Sequence, residues 1–409
     1  MKLLDVTDSL FYYMKEEENP CFSNNIFVFF NVEGRLEDDF IYRKVESCIE
    51  NNGRLKEIVR NKMNNLVWEN HNVIVKNHVK IINRKKYSSQ KHKKLVDKII
   101  NTKYVDEQPE WMIYFVRYPE KTCVIFACSH MIGDGYYLIE KLSKSFFDNP
   151  SFIQKKKKKK KGFSLLNILK SIYFFIISGF SLFYNFVFYK KEKIFDKIDK
   201  NKVCWDNLYT FDIKKLKKIK EKNGITMNDL LYSLILKALK KYSNKEHINI
   251  SSSTVFNLRN LNKTLKDGNE FGFVTFSTKV DDSIFGNINK KMNQIKSSPL
   301  IPCIINIIKC LFHFSCPSAI KLISRGINQN HFGYSNLHSY LDENTINNYK
   351  VSHISNIVTP YKYNLFISGL SYYDKITLNF TYKHGILDAK RFKKCMKEVV
   401  ENLNTEKIT

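Results

Sequence analysis

The chain has 409 residues, 43% of them hydrophobic, with 31 Phe and 23 Tyr. This composition supplies material for a large core and excludes an intrinsically disordered chain. The net charge is +27, but only nine of the 67 basic residues are Arg. Because Arg makes most bidentate contacts to bases and phosphates, we expect no nucleic-acid partner and interpret the charge as solvated Lys surface with attraction to anionic membrane.

Nine Cys residues are scattered along the chain without a Cys-x-x-Cys pair or a His partner at zinc spacing. Several lie in apolar runs, where a reduced thiol behaves as a small hydrophobic group. The sequence therefore predicts a reducing compartment and no metal site.

The first 150 residues show apolar patterns that alternate between strand and helix periodicity. The predicted strands are 22–32, 112–116 and 122–127, and the predicted helices are 37–51 and 136–147.

A His-x-x-x-Asp-Gly run at 130–135 lies between the last of these strands and the last of these helices. The spacing places His130 on a tight turn, with Gly133 and Gly135 allowing the chain to bend. A histidine there can act as a general base near neutral pH, since its ordinary pKa is about 6.5. The alternative is a hydrogen-bonded loop histidine beside a helix cap.

Residues 151–202 differ in character from the rest of the chain. Seven consecutive Lys at 155–161 repel one another, and the segment 163–189 that follows is almost wholly apolar and aromatic. Its 19 uncharged residues, 171–189, would span about 28 Å as a helix, close to the thickness of a bilayer's hydrocarbon core. A narrow polar stripe and Lys at both ends favour an in-plane or hairpin-like membrane anchor over a membrane span, with a buried core helix as a third interpretation.

The second half, from about residue 203, has a similar alternation. We predict a basic helix over 212–222, a second helix opened by Thr226 or Asn228 as N-cap, a strand over 248–256, closing strands at 363–367 and 375–381, and a final helix from Asp388.

The run at 130–135 resembles the signature of the acyltransferase superfamily that includes chloramphenicol acetyltransferase, peptide condensation domains and the wax ester synthase/diacylglycerol acyltransferases. Further matches to this last family occur in order along the chain. They are Asp8 followed by Phe11, Trp68 before His78-Val79, Pro109-x-Trp111, Asn228-Asp229, Asn257-Leu258-Arg259, Gly268-Asn269-Glu270-Phe271-Gly272, Ser355-Asn356 before Pro360, and Leu387-Asp388. One departure is Ser129, which stands where the family commonly has the first of two adjacent histidines.

The resemblance implies an α/β fold of two chloramphenicol-acetyltransferase-like halves with a channel between them. The expected domains are an amino-terminal half at 1–150, a linker at 151–202 carrying the membrane-associated segment, and a carboxyl-terminal half at 203–409. The implied activity is transfer of a fatty acyl group from acyl-CoA to a long-chain alcohol or to diacylglycerol. Acyl-CoA would be a co-substrate, no cofactor would be bound, and the protein would lie at a membrane lipid surface on the cytosolic face of the endoplasmic reticulum.

His130 is the expected base and Asp134 a structural residue paired with Arg259, with Gly135 completing the motif. Asn269 or a nearby backbone N–H is a candidate oxyanion donor. The remaining substrate-binding or supporting candidates are Ser129, Pro109, Trp111, Asn228, Asp229, Gly272, Ser355 and Asn356. Two alternatives stay open: a related acyltransferase that acts on another alcohol or amine, and a non-catalytic membrane-bound lipid-binding protein.

Overall fold

The computed structural model describes residues 2–16, 24–62, 65–150, 194–195, 202–259, 267–281, 283–297, 330–339 and 342–403. The Lys run and the hydrophobic segment 163–189 lie outside these residues. Among the helices that are described, none is long and apolar enough to cross a membrane.

The strands, numbered along the chain, are β1 (Lys2–Leu3), β2 (Asn25–Val32), β3 (Glu57–Lys62), β4 (Asn65–Asn70), β5 (Val79–Asn83), β6 (Trp111–Arg117), β7 (Thr122–Ser129), β8 (Val203–Asp212), β9 (Asn249–Asn257), β10 (Phe271–Lys279), β11 (Phe332–His338), β12 (Thr345–Ile346), β13 (Tyr349–Val358), β14 (Leu365–Tyr372) and β15 (Lys375–Lys383). The helices are α1 (Val6–Glu16), α2 (Asp38–Glu50), α3 (Val75–His78), α4 (Ser89–Ile100), α5 (Gly135–Phe146), α6 (Ile213–Lys222), α7 (Met227–Ser243), α8 (Ile284–Ser297) and α9 (Ala389–Asn402), and a 3₁₀ helix spans Gly53–Lys56.

Two six-stranded sheets form the framework. The amino-terminal sheet has the order β12-β13-β2-β7-β6-β5, and the carboxyl-terminal sheet has the order β10-β9-β11-β14-β15-β8. Both are mixed, since β5 runs parallel to β6, and β11 runs parallel to β9 and to β14. A small third sheet, β1-β4-β3, completes the described strands. The mixed α/β class predicted from the sequence is confirmed.

The two sheets do not follow the division of the chain into halves. β12 and β13 come from the second half, yet β13 pairs with β2 in the amino-terminal sheet. The exchanged strand is also bonded to the carboxyl-terminal sheet, because the backbone oxygen of Asn356 accepts hydrogen bonds from Ser368 Oγ at 2.9 Å and Asn379 Nδ2 at 3.0 Å. The sheets are thus joined through β13.

The hydrophobic core reflects this connection. One cluster of buried side chains contains Val28 and Phe126 of the amino-terminal sheet together with Leu370 and Tyr372 of β14. A second cluster fills the carboxyl-terminal half around α7, α9 and its sheet. Burying each large apolar side chain contributes about 1.5–3 kcal/mol, so the shared cluster strongly opposes separation of the two sheets.

Local signals predicted most of the described elements near the site. The strands at β2, β6 and β7 and the helices α2 and α5 occur within a few residues of their predicted bounds. Thr226, not Asn228, is the N-cap of α7, where it forms a reciprocal capping box with Asp229. The cysteines described as free, at 48, 123, 128, 204 and 395, are buried.

Candidate active site

His130 lies on the turn that joins β7 to α5, as the motif predicted. The backbone N–H of His130 donates to the carbonyl of Asn24 at 2.8 Å, which ties the turn to the residue before β2. Asp134 is the N-cap of α5, and its Oδ1 accepts the Tyr137 backbone N–H at 3.0 Å. The end of a strand and the start of a capped helix therefore fix the backbone on both sides of the histidine.

The imidazole of His130 packs against two phenylalanine rings, which also lie next to each other. Its ring stacks on Phe11 of α1, with centroids 4.3 Å apart and planes 19° apart, and Phe271 lies 5.4 Å away. Burial lowers the pKa of His130, although the charge of Asp134 and hydrogen bonding to Asn269 act in the opposite direction. With a pKa below its usual value, the ring is neutral at pH 7, as a general base must be.

Asn269 determines which ring nitrogen carries the proton. Its Nδ2 donates to the His130 carbonyl oxygen at 2.7 Å and to Asp8 Oδ1 at 3.0 Å. The Oδ1 atom therefore faces His130 Nδ1, at 2.9 Å. Because an amide oxygen only accepts, Nδ1 must donate, and Nε2 keeps the lone pair.

The same bonds correct one expectation from the sequence. Both N–H groups of the Asn269 amide already have protein acceptors. The side chain therefore has no free donor for a tetrahedral oxyanion. Asn269 orients the base instead.

Asp8, which accepts the Asn269 side-chain N–H, is fully buried. Its Oδ2 accepts from Arg54 Nη2 at 2.9 Å, and the Arg54 guanidinium stacks over the ring of Trp68 at 4.0 Å. Burial and the neighbouring Asp5 raise the pKa of Asp8 to about 7, against the opposing effects of Arg54 and Asn269. The Asp8 carboxyl therefore titrates near neutral pH.

Asp134 points to a different set of partners, which we name the Asp134 cluster: Asp134, Tyr137, Arg259 and Glu270. Arg259 Nε lies 3.0 and 2.8 Å from the two carboxylate oxygens, and the Glu270 backbone N–H donates at 2.9 Å. The Arg259 side chain is completely buried and also donates to the Gly268 carbonyl. The expected pairing of Asp134 with Arg259 is present, and it joins the turn after β7 to the second half of the chain.

Two glycines allow the two halves of the chain to pack closely around the site. Gly268 has a φ of +87°, a conformation that other residues adopt at a cost, and it lies against Asp8 and Arg54. A Cβ on Gly135 would lie 2.2 Å from Leu337 Cδ1 of β11. A larger residue at this position of the motif would therefore have to displace the Leu337 side chain where α5 contacts the carboxyl-terminal sheet.

A cavity opens beside His130, between the two sheets; its empty space is about 1420 Å³ when the open solvent at its mouth is included. Its lining is mainly apolar and comes from both halves, with Leu10, Phe11, Ile26, Phe271, Phe273, Leu337, Val358 and Phe366 among its members. Three predicted residues besides the His130 and Asp134 motif positions also line it: Gly135, Gly272 and Asn356.

Pro109 and Trp111 do not line this cavity but lie at the start of β6. Trp111 is buried, donates from Nε1 to the Leu55 carbonyl at 2.9 Å, and stacks on His78 at 4.3 Å. It pairs with Cys128 in the sheet, and the neighbouring Glu110 carbonyl accepts the Ser129 N–H at 2.9 Å. The Pro-x-Trp segment thus holds the end of the strand that leads to His130.

Ser129 does not line the cavity beside His130. It lines a separate, smaller cavity with Tyr12, Trp68 and Met131, and its Oγ accepts the Met131 backbone N–H at 3.4 Å. The family's first histidine position is therefore on the other side of the turn from the His130 cavity.

The Asn-Asp pair and Ser355 have supporting positions. Asp229 is buried in the capping box of α7, and Asn228 Oδ1 accepts from Asn336 Nδ2, a cavity residue, at 3.5 Å. Ser355 is buried on β13 opposite Phe29. Neither Asn228 nor Ser355 is among the residues that line the cavity.

Sequence reasoning missed Arg54 and assigned no role to Phe271. No local pattern connects Arg54 with a carboxylate 46 residues earlier. Among the described residues, no group of three or more His, Cys, Asp or Glu is arranged to hold a metal ion.

Comparison with known proteins agrees with this geometry. Residues 267–404 match the family model described as the WS/DGAT C-terminal domain. This part of the chain is thus similar to the carboxyl-terminal domain of the wax ester synthase/diacylglycerol acyltransferases. No curated protein matches the sequence.

Solved structures show the same fold at low sequence identity. The wax ester synthase/diacylglycerol acyltransferase from Marinobacter aquaeolei VT8 has a TM-score of 0.68 and 12% identity, with 99% of each chain covered. The starter condensation domain of rhizomide synthetase, in complex with C8-CoA and Leu-SNAC, has a TM-score of 0.67 and 8% identity, covering 99% of this chain and 94% of that one. The epimerization domain of tyrocidine synthetase B has a TM-score of 0.59 and 10% identity, with 99% and 98% covered. The family and the condensation domains thus share one architecture.

Proposed function

We propose that the protein transfers a fatty acyl group from acyl-CoA to a long-chain alcohol or to the free hydroxyl of diacylglycerol, with His130 as general base. The observation that carries this proposal is the neutral imidazole whose Nδ1 is bonded to Asn269, so that Nε2 remains a proton acceptor. The ring is part of the wall of a mainly apolar cavity.

The reaction then follows from this arrangement. His130 Nε2 takes the proton of the acceptor hydroxyl while its oxygen attacks the thioester carbonyl carbon. The tetrahedral intermediate collapses to the ester, the carbon–sulfur bond breaks, and the leaving thiolate receives the proton back from the imidazolium. No covalent enzyme intermediate is needed, because both substrates can meet at one base.

The apolar lining supports lipid substrates over soluble ones. Alkyl chains bury apolar surface in such a cavity at a gain of about 25 cal/mol per Å². A soluble amine or alcohol would gain much less from this lining. This supports the family's acceptors over the alternative of a related enzyme with a soluble acceptor.

Membrane association belongs to the same proposal. Its support is the uncharged segment 171–189, flanked by Lys residues, which suits an interfacial anchor at the cytosolic face of the endoplasmic reticulum. Such a site would give lipid acceptors a short path to the cavity. Co-flotation with anionic vesicles, compared between the full chain and a chain lacking residues 163–189, tests the anchor.

The decisive experiment incubates purified protein with labelled palmitoyl-CoA and either hexadecanol or diolein. We expect ester formation by the native protein and a loss of about 10²- to 10⁴-fold in kcat/KM in His130→Ala, the usual contribution of a general base. His247→Ala, which alters an exposed histidine, is the matched control and should leave activity unchanged. An active His130→Ala variant would exclude the base, and acyl-CoA binding without any ester product would favour a lipid-binding protein.

A further inference from the structure

We propose that Asp8 is a positioning residue for acyl transfer, which acts through the Asn269 amide to orient His130 and to stabilise the positive charge that its ring acquires during the reaction. This inference rests on the proposed function, because it assumes that His130 accepts a proton.

The geometry is a continuous chain of hydrogen bonds from a carboxyl to the imidazole. Asp8 Oδ1 accepts from Asn269 Nδ2 at 3.0 Å, and Asn269 Oδ1 lies 2.9 Å from His130 Nδ1. A carboxylate that attracts the amide N–H polarises the amide, which makes its oxygen a stronger acceptor for the imidazole N–H. The same stronger acceptor would stabilise the positive charge that the ring gains when Nε2 takes up a proton.

The surroundings make this effect strong. Asp8, Arg54 and Asn269 are all buried, so their charges and dipoles interact without screening by bulk water. Arg54 is itself fixed by the ring of Trp68 and by an ion pair of 3.7 Å with Glu57. The guanidinium thus holds Asp8 Oδ2, which leaves Oδ1 directed at Asn269.

The charge of Asp8, the first group in this chain of hydrogen bonds, depends on pH. The charged groups that act on Asp8 are Asp5 and Lys2 from the amino terminus and Arg54 from the 3₁₀ helix, while the 267–270 loop contributes the neutral Asn269. Because the pKa of Asp8 is about 7, its negative charge develops as the pH rises through neutrality. The pKa of His130 is lowered from its usual 6.5, so its own titration falls below that range. We expect the rate to show a step near pH 7 in addition to the loss at lower pH.

The first test removes the negative charge of Asp8 but keeps the shape of its side chain. Asp8→Asn should lower kcat by about 10- to 100-fold, part of what a positioned base contributes, while KM for acyl-CoA stays unchanged. The step near pH 7 should disappear. Unchanged kcat with the step intact would overturn the proposal.

A second variant exchanges the two side chains. Asp8→Asn/Asn269→Asp places the carboxylate directly against His130 Nδ1 and keeps one amide and one carboxyl in the pair. We expect kcat to recover at least partly from the single Asp8→Asn value. The acid limb of kcat/KM should move to higher pH, because a carboxylate in contact raises the imidazole pKa. A purely structural role for Asp8 would produce no recovery of kcat.

Asp8→Asn leaves Arg54 with a neutral partner and can fail to fold, so the native protein supplies an independent readout. ¹⁵N chemical shifts of His130 should report a proton on Nδ1 at pH 8 and none on Nε2. A proton on Nε2 would contradict the proposal without any variant. If His130→Ala keeps its activity, the proposed function fails; if it is inactive while Asp8→Asn behaves as native, only the role of Asp8 fails.

Discussion

Two buried aspartates lie on either side of the 267–270 loop, and they differ in how they are satisfied. Asp134 accepts from the backbone N–H groups of Tyr137 and Glu270 and from Arg259, which reaches both of its carboxylate oxygens. Asp8 accepts from two side chains, Arg54 and Asn269. Backbone donors that belong to a capped helix and a strand start cannot move without disturbing the fold. The Asp134 cluster therefore determines where the loop lies, and Asp8 acts on the group that the loop presents to His130.

Both aspartates bind the 267–270 loop from the other half of the chain. Asp134 and Asp8 belong to the first half of the chain, whereas Asn269 and Arg259 belong to the second. The turn itself contacts the loop at Gly133, which forms an isolated parallel bridge with Gly268. Variants in the two regions should therefore separate stability from catalysis.

The largest expected effect is on stability, from breaking the Asp134 cluster. Asp134→Ala removes the nearer carboxylate partner of the buried Arg259, leaves it the ion pair of 3.8 Å with the half-exposed Glu270, and removes the cap of α5. We expect the free energy of unfolding to fall by about 3–5 kcal/mol, the usual cost of removing one partner from a buried ion pair. Urea denaturation followed by circular dichroism measures this loss.

Glu140→Ala is the matched control on the same helix. It breaks the pair of Glu140 with the exposed Lys144 and should cost less than about 1 kcal/mol. Equal losses in the two variants would show that the Asp134 cluster contributes no more than a surface ion pair.

The next effect concerns the contact between α5 and the carboxyl-terminal sheet. Gly135→Ala brings a methyl group into the space of Leu337. The resulting shift of the turn should lower kcat/KM by about 10²-fold, as small displacements of a catalytic group do. Leu337→Ala in the same chain should restore much of the activity in the acyl-transfer assay, and no recovery would exclude the steric explanation.

The smallest effect is expected where the turn faces the other cavity. Ser129→His restores the residue that the family commonly has, but this position lies outside the His130 cavity. We expect kcat/KM to change by less than about tenfold, which corresponds to under 1.4 kcal/mol. A larger gain would show that the first histidine contributes to the reaction in a way that this geometry does not explain.

Much of the local structure near the site could be predicted from the sequence, because it depends on neighbours along the chain. Apolar periodicity identified the strand and helix around His130, and capping chemistry narrowed the start of α7 to Thr226 or Asn228, of which Thr226 is the cap. Strand β8 and helix α4 were not predicted. The alternation in Val203–Asp212 is weak, with few buried apolar side chains, and Ser89–Ile100 is rich in Lys and His.

What the sequence by itself determined is the turn that carries His130 and the caps, strands and helices that build it, since propensity and periodicity act over a few residues. The tertiary structure alone decided that β13 joins the amino-terminal sheet and that Asp8, Asn269 and His130 form one chain of hydrogen bonds. The residues in these contacts are separated by 139 and 261 positions. Partners so far apart are brought together by burial and sheet pairing of the whole chain, and no local pattern encodes which distant side chain will meet which.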